Sequence, residues 1–94
     1  MIDSETPVPI QFTRRERELI VNLMSVEPEI IDRFHLAILK GEALVVNLSA
    51  GDLDTLLGAI AADANHTEQK RLQKELDKLF NRLDRLLQSE FPKD

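Results

Sequence analysis

The last part of the chain, residues 67–88, carries the feature that most constrains the fold, which is a repeat of leucines. The repeated leucines follow one another at alternating spacings of four and three residues. Because an α-helix turns about 100° per residue, these side chains lie on one helix face. Such a face must be buried against other helices or a partner, so it is our candidate interface. Its members are Leu72, Leu76, Leu79, Phe80, Leu83, Leu86 and Leu87.

The size and composition of the chain limit the kinds of protein and of functional site that it can be or contain. The sequence has 94 residues and no cysteine, which excludes disulfides, thiolate nucleophiles and cysteine-based zinc sites. A single domain of this size has a modest core, and oligomerisation is a common supplement, so we expect a homodimer. We also expect a cytoplasmic protein with no membrane association. The reasons are the lack of cysteine, of a signal-peptide pattern and of an apolar run that could span a bilayer.

Local signals predict four helices, over residues 13–24, 28–40, 49–64 and 67–88. Thr13 followed by Glu16 is a capping box, and Ser49 has the residue type that begins a helix. Pro28 suits a first helical turn, and Gly41 is a good residue to close the second helix. Residues 1–12 then form an extended N-terminal tail, residues 13–88 a single helical domain, and residues 89–94 a frayed C-terminal tail.

Residues 43–48, with the sequence ALVVNL, are the one stretch with strand character. A single strand in a helical domain has no mate. The segment is therefore an extended connector, or it pairs with the N-terminal arm, or it pairs with its own copy in a dimer. The predicted fold class is all-α, a small bundle of three to four helices with one short extended segment.

Three polar residues, Asn65, His66 and Thr67, lie at the junction of the last two predicted helices. They are typical of a capping turn, in which Asn closes one helix and Thr opens the next. The alternative is one continuous helix from about residue 50 to residue 88. If the chain has a ligand or catalytic site, this turn is the candidate position for it.

Charge is distributed unevenly along the chain, whose net charge is −5. Residues 1–66 carry five Arg or Lys against eleven Asp or Glu, whereas residues 67–88 carry six against four. Five cations of the last helix fall within about 80° on one flank. They are Arg71, Lys74, Lys78, Arg82 and Arg85. This basic stripe could follow phosphates, although the overall acidity and the absence of Trp and Tyr argue against nucleic acid as the main partner.

No motif in the sequence indicates a catalytic, cofactor or metal site. The two histidines, His35 and His66, are far apart in the chain, and neither is part of a Glu-x-x-His pattern of the kind that bundle proteins use for metals. We therefore expect no catalytic residue, no cofactor and no metal ligand.

The run LLGAIAADANHTEQKRLQKELDKLFNRL, about residues 56–83, resembles a stretch of small uncharacterised bacterial helical proteins. In those proteins an Ala-rich helix leads through an Asn-His-Thr turn into a Leu-rich C-terminal helix. The resemblance implies a bacterial origin, carries no known activity and transfers no site residue.

The sequence thus favours a non-enzymatic protein–protein interaction module that self-associates through amphipathic helices. A nucleic-acid-associated regulator that uses the basic stripe is the alternative. An enzyme or ligand-binding bundle centred on His66 is a third reading.

Overall fold

Helices and strands both occur in the computed structural model, which describes residues 5–91. Their order is β1 (Val8–Phe12), α1 (Arg14–Val21), α2 (Pro28–His35), β2 (Ile38–Lys40), β3 (Ala43–Leu48), α3 (Ala50–His66) and α4 (Lys70–Glu90).

The three strands form one antiparallel sheet with β3 in the middle and β1 and β2 at its edges. Val8 lies opposite Leu48 in the first pair, and Lys40 lies opposite Ala43 in the second. Successive side chains of a strand point to opposite faces. The inner face therefore carries the buried residues, which are Ile10, Phe12, Val46 and Leu48.

The prediction of an all-α fold is wrong, because the described part of the chain is a mixed fold of four helices and a three-stranded antiparallel sheet. Residues 43–48 do form a strand, and that strand has a mate on each side. One mate is β1 in the N-terminal segment, which is one of the pairings that the sequence allows. The other is β2, whose residues fall within the predicted second helix.

The second helix is shorter than predicted, since α2 ends at His35 and not at residue 40. Ile38 follows Phe34 at a helical spacing, but short apolar runs fit a strand equally well. Gly41 does not close a helix. It has a φ of +63° and is the first of two residues between Lys40 and Ala43, the position that glycine takes in a type II′ hairpin turn.

The predicted helix starts are confirmed at two caps. The Thr13 hydroxyl accepts from the Glu16 N–H at 3.0 Å, and the Glu16 carboxylate accepts from the Thr13 N–H at 2.8 Å. Ser49 and Asp52 make the same reciprocal pair at 3.1 and 2.9 Å. These bonds pair backbone donors that a helix start leaves without an intrahelical partner.

The helices pack on the inner face of the sheet and on one another. α3 packs along α4, and its residues Leu53, Leu56 and Ile60 are completely buried. Phe12 of β1 meets Phe34 of α2 edge-to-face, with ring centroids 4.9 Å apart. One core therefore joins sheet and helices.

Both expected tails contain ordered structure within the described range. Val8–Phe12 is the strand β1, α4 continues to Glu90, and Phe91 is buried. Residues 1–4 and 92–94, which belong to the same expected tails, lie outside the described residues.

Candidate interaction surface

The leucine face of α4, our candidate interface, is largely occupied within the chain. Leu76, Leu79 and Leu83 are buried in the common core. The other four members, which are Leu72, Phe80, Leu86 and Leu87, are half-buried and pack against that core. The centre of this face can therefore reach a partner only if the fold opens.

One cation of the basic stripe is held by the rest of the fold. The Arg82 guanidinium donates to both carboxylate oxygens of Glu16 at 2.6 and 2.8 Å, and to the Gln11 carbonyl oxygen at 3.2 Å. The same guanidinium lies 5.3 Å from the centroid of the Phe12 ring, a cation–π distance. Arg82 thus links α4 to β1 and to the start of α1.

Glu75, at the edge of the stripe, is bound by Arg15 of α1 through two bonds of 2.7 and 2.8 Å. The hydrogen bonds from Arg15 lower the pKa of the Glu75 carboxyl, and the pKa of Arg15 is raised in turn. A lowered pKa means that this pair stabilises the fold above the usual pKa of Glu. The contribution is lost as the pH falls through the lowered value.

The remaining cations of the stripe face solvent. Arg71, Lys74, Lys78 and Arg85 are exposed, and none of them makes a hydrogen bond or ion pair with another residue in the range 5–91. The stripe thus leaves four solvent-exposed cations on α4, of which Arg71 and Lys78 are near enough to Glu75 to help lower the pKa of its carboxyl.

The turn Asn65-His66-Thr67 separates α3 from α4, so the two helices are not continuous. Asn65 and His66 are the exposed last residues of α3, and Thr67 caps the end of that helix. The Thr67 hydroxyl accepts from the Gln69 N–H at 3.2 Å. Thr67 therefore does not open α4, whose preceding residue is Gln69.

His66 does not line the cleft described next. An open cleft of about 850 Å³ lies between the end of β1, the hairpin turn and α4. Gln11, Phe12 and Arg82 line it, together with Arg14 and Glu42. Over residues 5–91, no group of three or more His, Cys, Asp or Glu side chains is placed to hold a metal ion.

Large apolar side chains are exposed at another place, next to and within β2. Leu36 is 80% exposed, Ile38 61% and Leu39 52%. We call these three residues the β2 patch. They lie close together in the chain, with Ile38 on the outer face of the sheet and Leu39 on the inner face of the same edge strand. Several exposed large apolar residues within one short segment are a common mark of a binding surface, whereas single exposed apolar residues are ordinary.

Met24 is exposed as well, at 91%, but it lies elsewhere. Its N–H donates to Asp63, near the end of α3, whereas Arg33, close to the β2 patch in the chain, pairs with Asp52 near the start of α3. At a rise of about 1.5 Å per residue, these two positions on α3 are about 16 Å apart. Met24 is therefore a single exposed residue outside the patch.

The outer face of the sheet, to which Ile38 of the β2 patch belongs, carries few charges. Ile38 lies opposite Val45, which in turn lies opposite Gln11, so these three side chains form a row across the sheet. Lys40 is the one charged residue that the three strands place on this face. Interface centres are similarly poor in charge.

The two edges of the sheet differ in their ability to accept another strand. β1 contains Pro9, which has no N–H to donate to an added strand and is usual at a protected edge. β2 contains no proline, and all three of its residues are exposed. The open edge and the apolar side chains thus coincide at β2.

The β2 patch does not follow from the sequence prediction. Residues 36–39 fall at the end of the predicted second helix, which would bury one side of them. A usable signal was present, because two apolar segments flank the two-residue turn Gly41-Glu42, as in a β-hairpin.

Comparisons with protein-family models, with curated proteins and with solved structures give no match to this chain. Among the described residues, no helix has the length and apolar character needed to cross a membrane.

Proposed function

We propose that this chain is a small non-enzymatic interaction protein that self-associates as a homodimer, and that the β2 patch forms the contact. The observation that carries the proposal is the exposure of three large apolar residues, Leu36, Ile38 and Leu39, within four positions of the chain at the open edge of the sheet. The part of each side chain now in water would be buried by a partner. Such burial stabilises a contact by about 1–2 kcal/mol per residue.

Two further features support this surface over the leucine face of α4. The central leucines of α4 already lie in the core of the same chain. The β2 patch also lies beside a sheet face that carries a single charge, whereas the chain as a whole has a net charge of −5. Two acidic chains repel each other least where their contact contains few carboxylates.

The same proposal places the protein in a reducing cytoplasm, because the chain contains no cysteine. The resemblance of residues 56–83 to small bacterial helical proteins fits this setting. It adds no activity and no residue to the proposed contact.

Sedimentation equilibrium at micromolar concentration tests the proposal. We expect twice the chain mass of 10.7 kDa for the unaltered protein. Ile38→Lys should give the mass of a single chain, because it puts a charge into the contact at a site that is already 61% exposed in one chain. Met24→Lys is the control, since it puts the same charge at another exposed large apolar residue, outside the patch, and this variant should remain a dimer.

Two outcomes would contradict the proposal. A clean monomer for the unaltered protein at these concentrations would remove self-association. A dimer that Ile38→Lys leaves intact, but that Leu87→Lys dissociates, would move the contact to the half-buried border of the α4 face.

A further inference from the structure

We infer that the partner of β2 is the β2 strand of a second copy, paired antiparallel about Leu39, so that two three-stranded sheets become one six-stranded sheet. This inference rests on the proposed function, because it specifies how the β2 patch makes the homodimer. It follows from the hydrogen-bonding pattern of the sheet, the side chains on β2 and the charges beside them.

The hydrogen-bonding pattern identifies the residue of β2 that faces outward. In an antiparallel pair, opposed residues alternate between those that exchange backbone hydrogen bonds and those that do not. Pro9 has no N–H, so the pair of Pro9 with Asn47 is of the second kind. Because the two kinds of pair alternate along the strands, the pair of Phe12 with Leu44, three residues further on, is of the bonded kind. The backbone N–H and C=O of Leu44 therefore point towards β1 and away from β2.

The backbone groups of Leu39, opposite Leu44, then point away from β3 and into the open edge. The hairpin turn leads to the same assignment independently. In a two-residue hairpin the flanking residues, here Lys40 and Ala43, are the bonded pair. The neighbouring pair of Leu39 and Leu44 is therefore not bonded, and the N–H and C=O of Leu39 are free to pair with another strand.

A two-fold axis at Leu39 uses both of these groups. Each Leu39 N–H donates to the Leu39 carbonyl oxygen of the other copy, and the two leucine side chains meet on the inner face. A symmetric contact of this kind uses the same patch on both copies, and closed two-fold dimers are the commonest oligomers.

The neighbouring residues are compatible with this register. On the outer face, Ile38 lies opposite Lys40 of the second copy, and the aliphatic stem of a lysine covers apolar surface while its ammonium group stays in water. A register centred on Lys40 would place two lysines directly opposite each other, and like charges at that position are destabilising. The register about Leu39 does not place the two Lys40 side chains opposite each other.

The other edge of the sheet does not provide the same contact. Pro7 and Pro9 lack the N–H groups that a strand added along β1 would need. Within the described range 5–91, no large apolar side chain at that edge is exposed to the extent of those in the β2 patch. A second copy is therefore expected on β2 and not on β1.

Engineered single cysteines test the register, because the chain has no cysteine of its own. Opposed residues of a bonded antiparallel pair have Cα atoms about 5.5 Å apart, within the range that a disulfide spans. Under a mild oxidant, Leu39→Cys should therefore form a covalent dimer. Gln11→Cys, an exposed control on the β1 edge, should not. A mixture of Ile38→Cys and Lys40→Cys should crosslink to each other in preference to themselves.

Hydrogen exchange on the unaltered protein gives a second measurement that needs no substitution. The Leu39 amide should exchange more slowly as the protein concentration rises, by about tenfold when nine chains in ten are dimeric, since exchange then occurs from the monomer. The Gln11 amide should not change with concentration.

The outcomes separate this inference from the proposed function. A dimer that Ile38→Lys dissociates, but in which Leu39→Cys does not crosslink and the Leu39 amide stays unprotected, would overturn the strand pairing and leave the β2 patch as the contact. A dimer in which Ile38→Cys crosslinks best to itself would overturn the register about Leu39. A monomer throughout would overturn both proposals.

Discussion

Gly41 and Gly58 differ in whether their positions could accept a residue with a side chain. Gly41 has a φ of +63°, a conformation that L side chains adopt at a cost of about 1–2 kcal/mol. Gly58 lies within α3 and is exposed, and a Cβ atom added there would meet nothing within 4 Å. The hairpin turn therefore needs its glycine, whereas the helix does not.

Replacing Gly58 by Ala should raise the free energy of unfolding by about 0.4–1 kcal/mol, because alanine restricts the unfolded chain and suits a helix. Gly41→Ala should lower it, which provides the opposite control in the same protein. Urea denaturation of the two variants measures both effects. A loss of stability in Gly58→Ala would show that another surface contacts this side of α3.

At the scale of elements, the sequence predicted the starts of α1, α2 and α3 well, the start of α4 too early and the strands poorly. The residues that cap α1 and α3 act through neighbours three positions away, so their pattern is visible locally. The identity of β2 depends on β3 across a hairpin, and its apolar residues also continue the spacing of α2. A three-residue strand has too few positions to show a period of two.

The candidate site was predictable to a smaller extent than the helices. The leucine face of α4 was identified correctly as a face that must be buried, but only the tertiary structure shows that α3 and the common core cover its centre. The attachment of Arg82 to Glu16, and of Glu75 to Arg15, joins residues far apart in the chain. No local pattern indicates such pairs.

The caps of α3 and the turn that follows it should respond differently to alanine. Ser49→Ala should lower the free energy of unfolding by about 0.5–2 kcal/mol, because it removes the side chain that accepts from the Asp52 N–H in a buried cap. Thr67→Ala should cost less, because it removes only one bond in an exposed turn. His66→Ala should be nearly neutral.

Thermal or urea unfolding of these three variants makes the comparison. A large loss of stability in His66→Ala would contradict the view of this histidine as an exposed helix-end residue. So would a ligand-induced rise in melting temperature that is lost only in that variant.

At the scale of the whole molecule, charge separates the outer surface of α4 from the remainder. Residues 1–66 contain six more acidic than basic residues, while α4 carries the row of solvent-exposed cations. A large polyanion such as duplex DNA would meet the acidic remainder of the surface as well as this row. A row with few cations gains little from the release of counterions.

Binding to generic duplex DNA should accordingly be weak at about 0.15 M salt, with no saturation at micromolar protein in a fluorescence anisotropy titration. Any binding at lower salt should disappear when Arg71, Lys74 and Lys78 are together replaced by Gln. Lys40→Gln, which removes a cation from the sheet, should leave that binding unchanged. Tight binding at physiological salt that this triple replacement abolishes would instead make nucleic acid the main partner. The solvent-exposed cations of α4 would then be the residues that contact the nucleic acid.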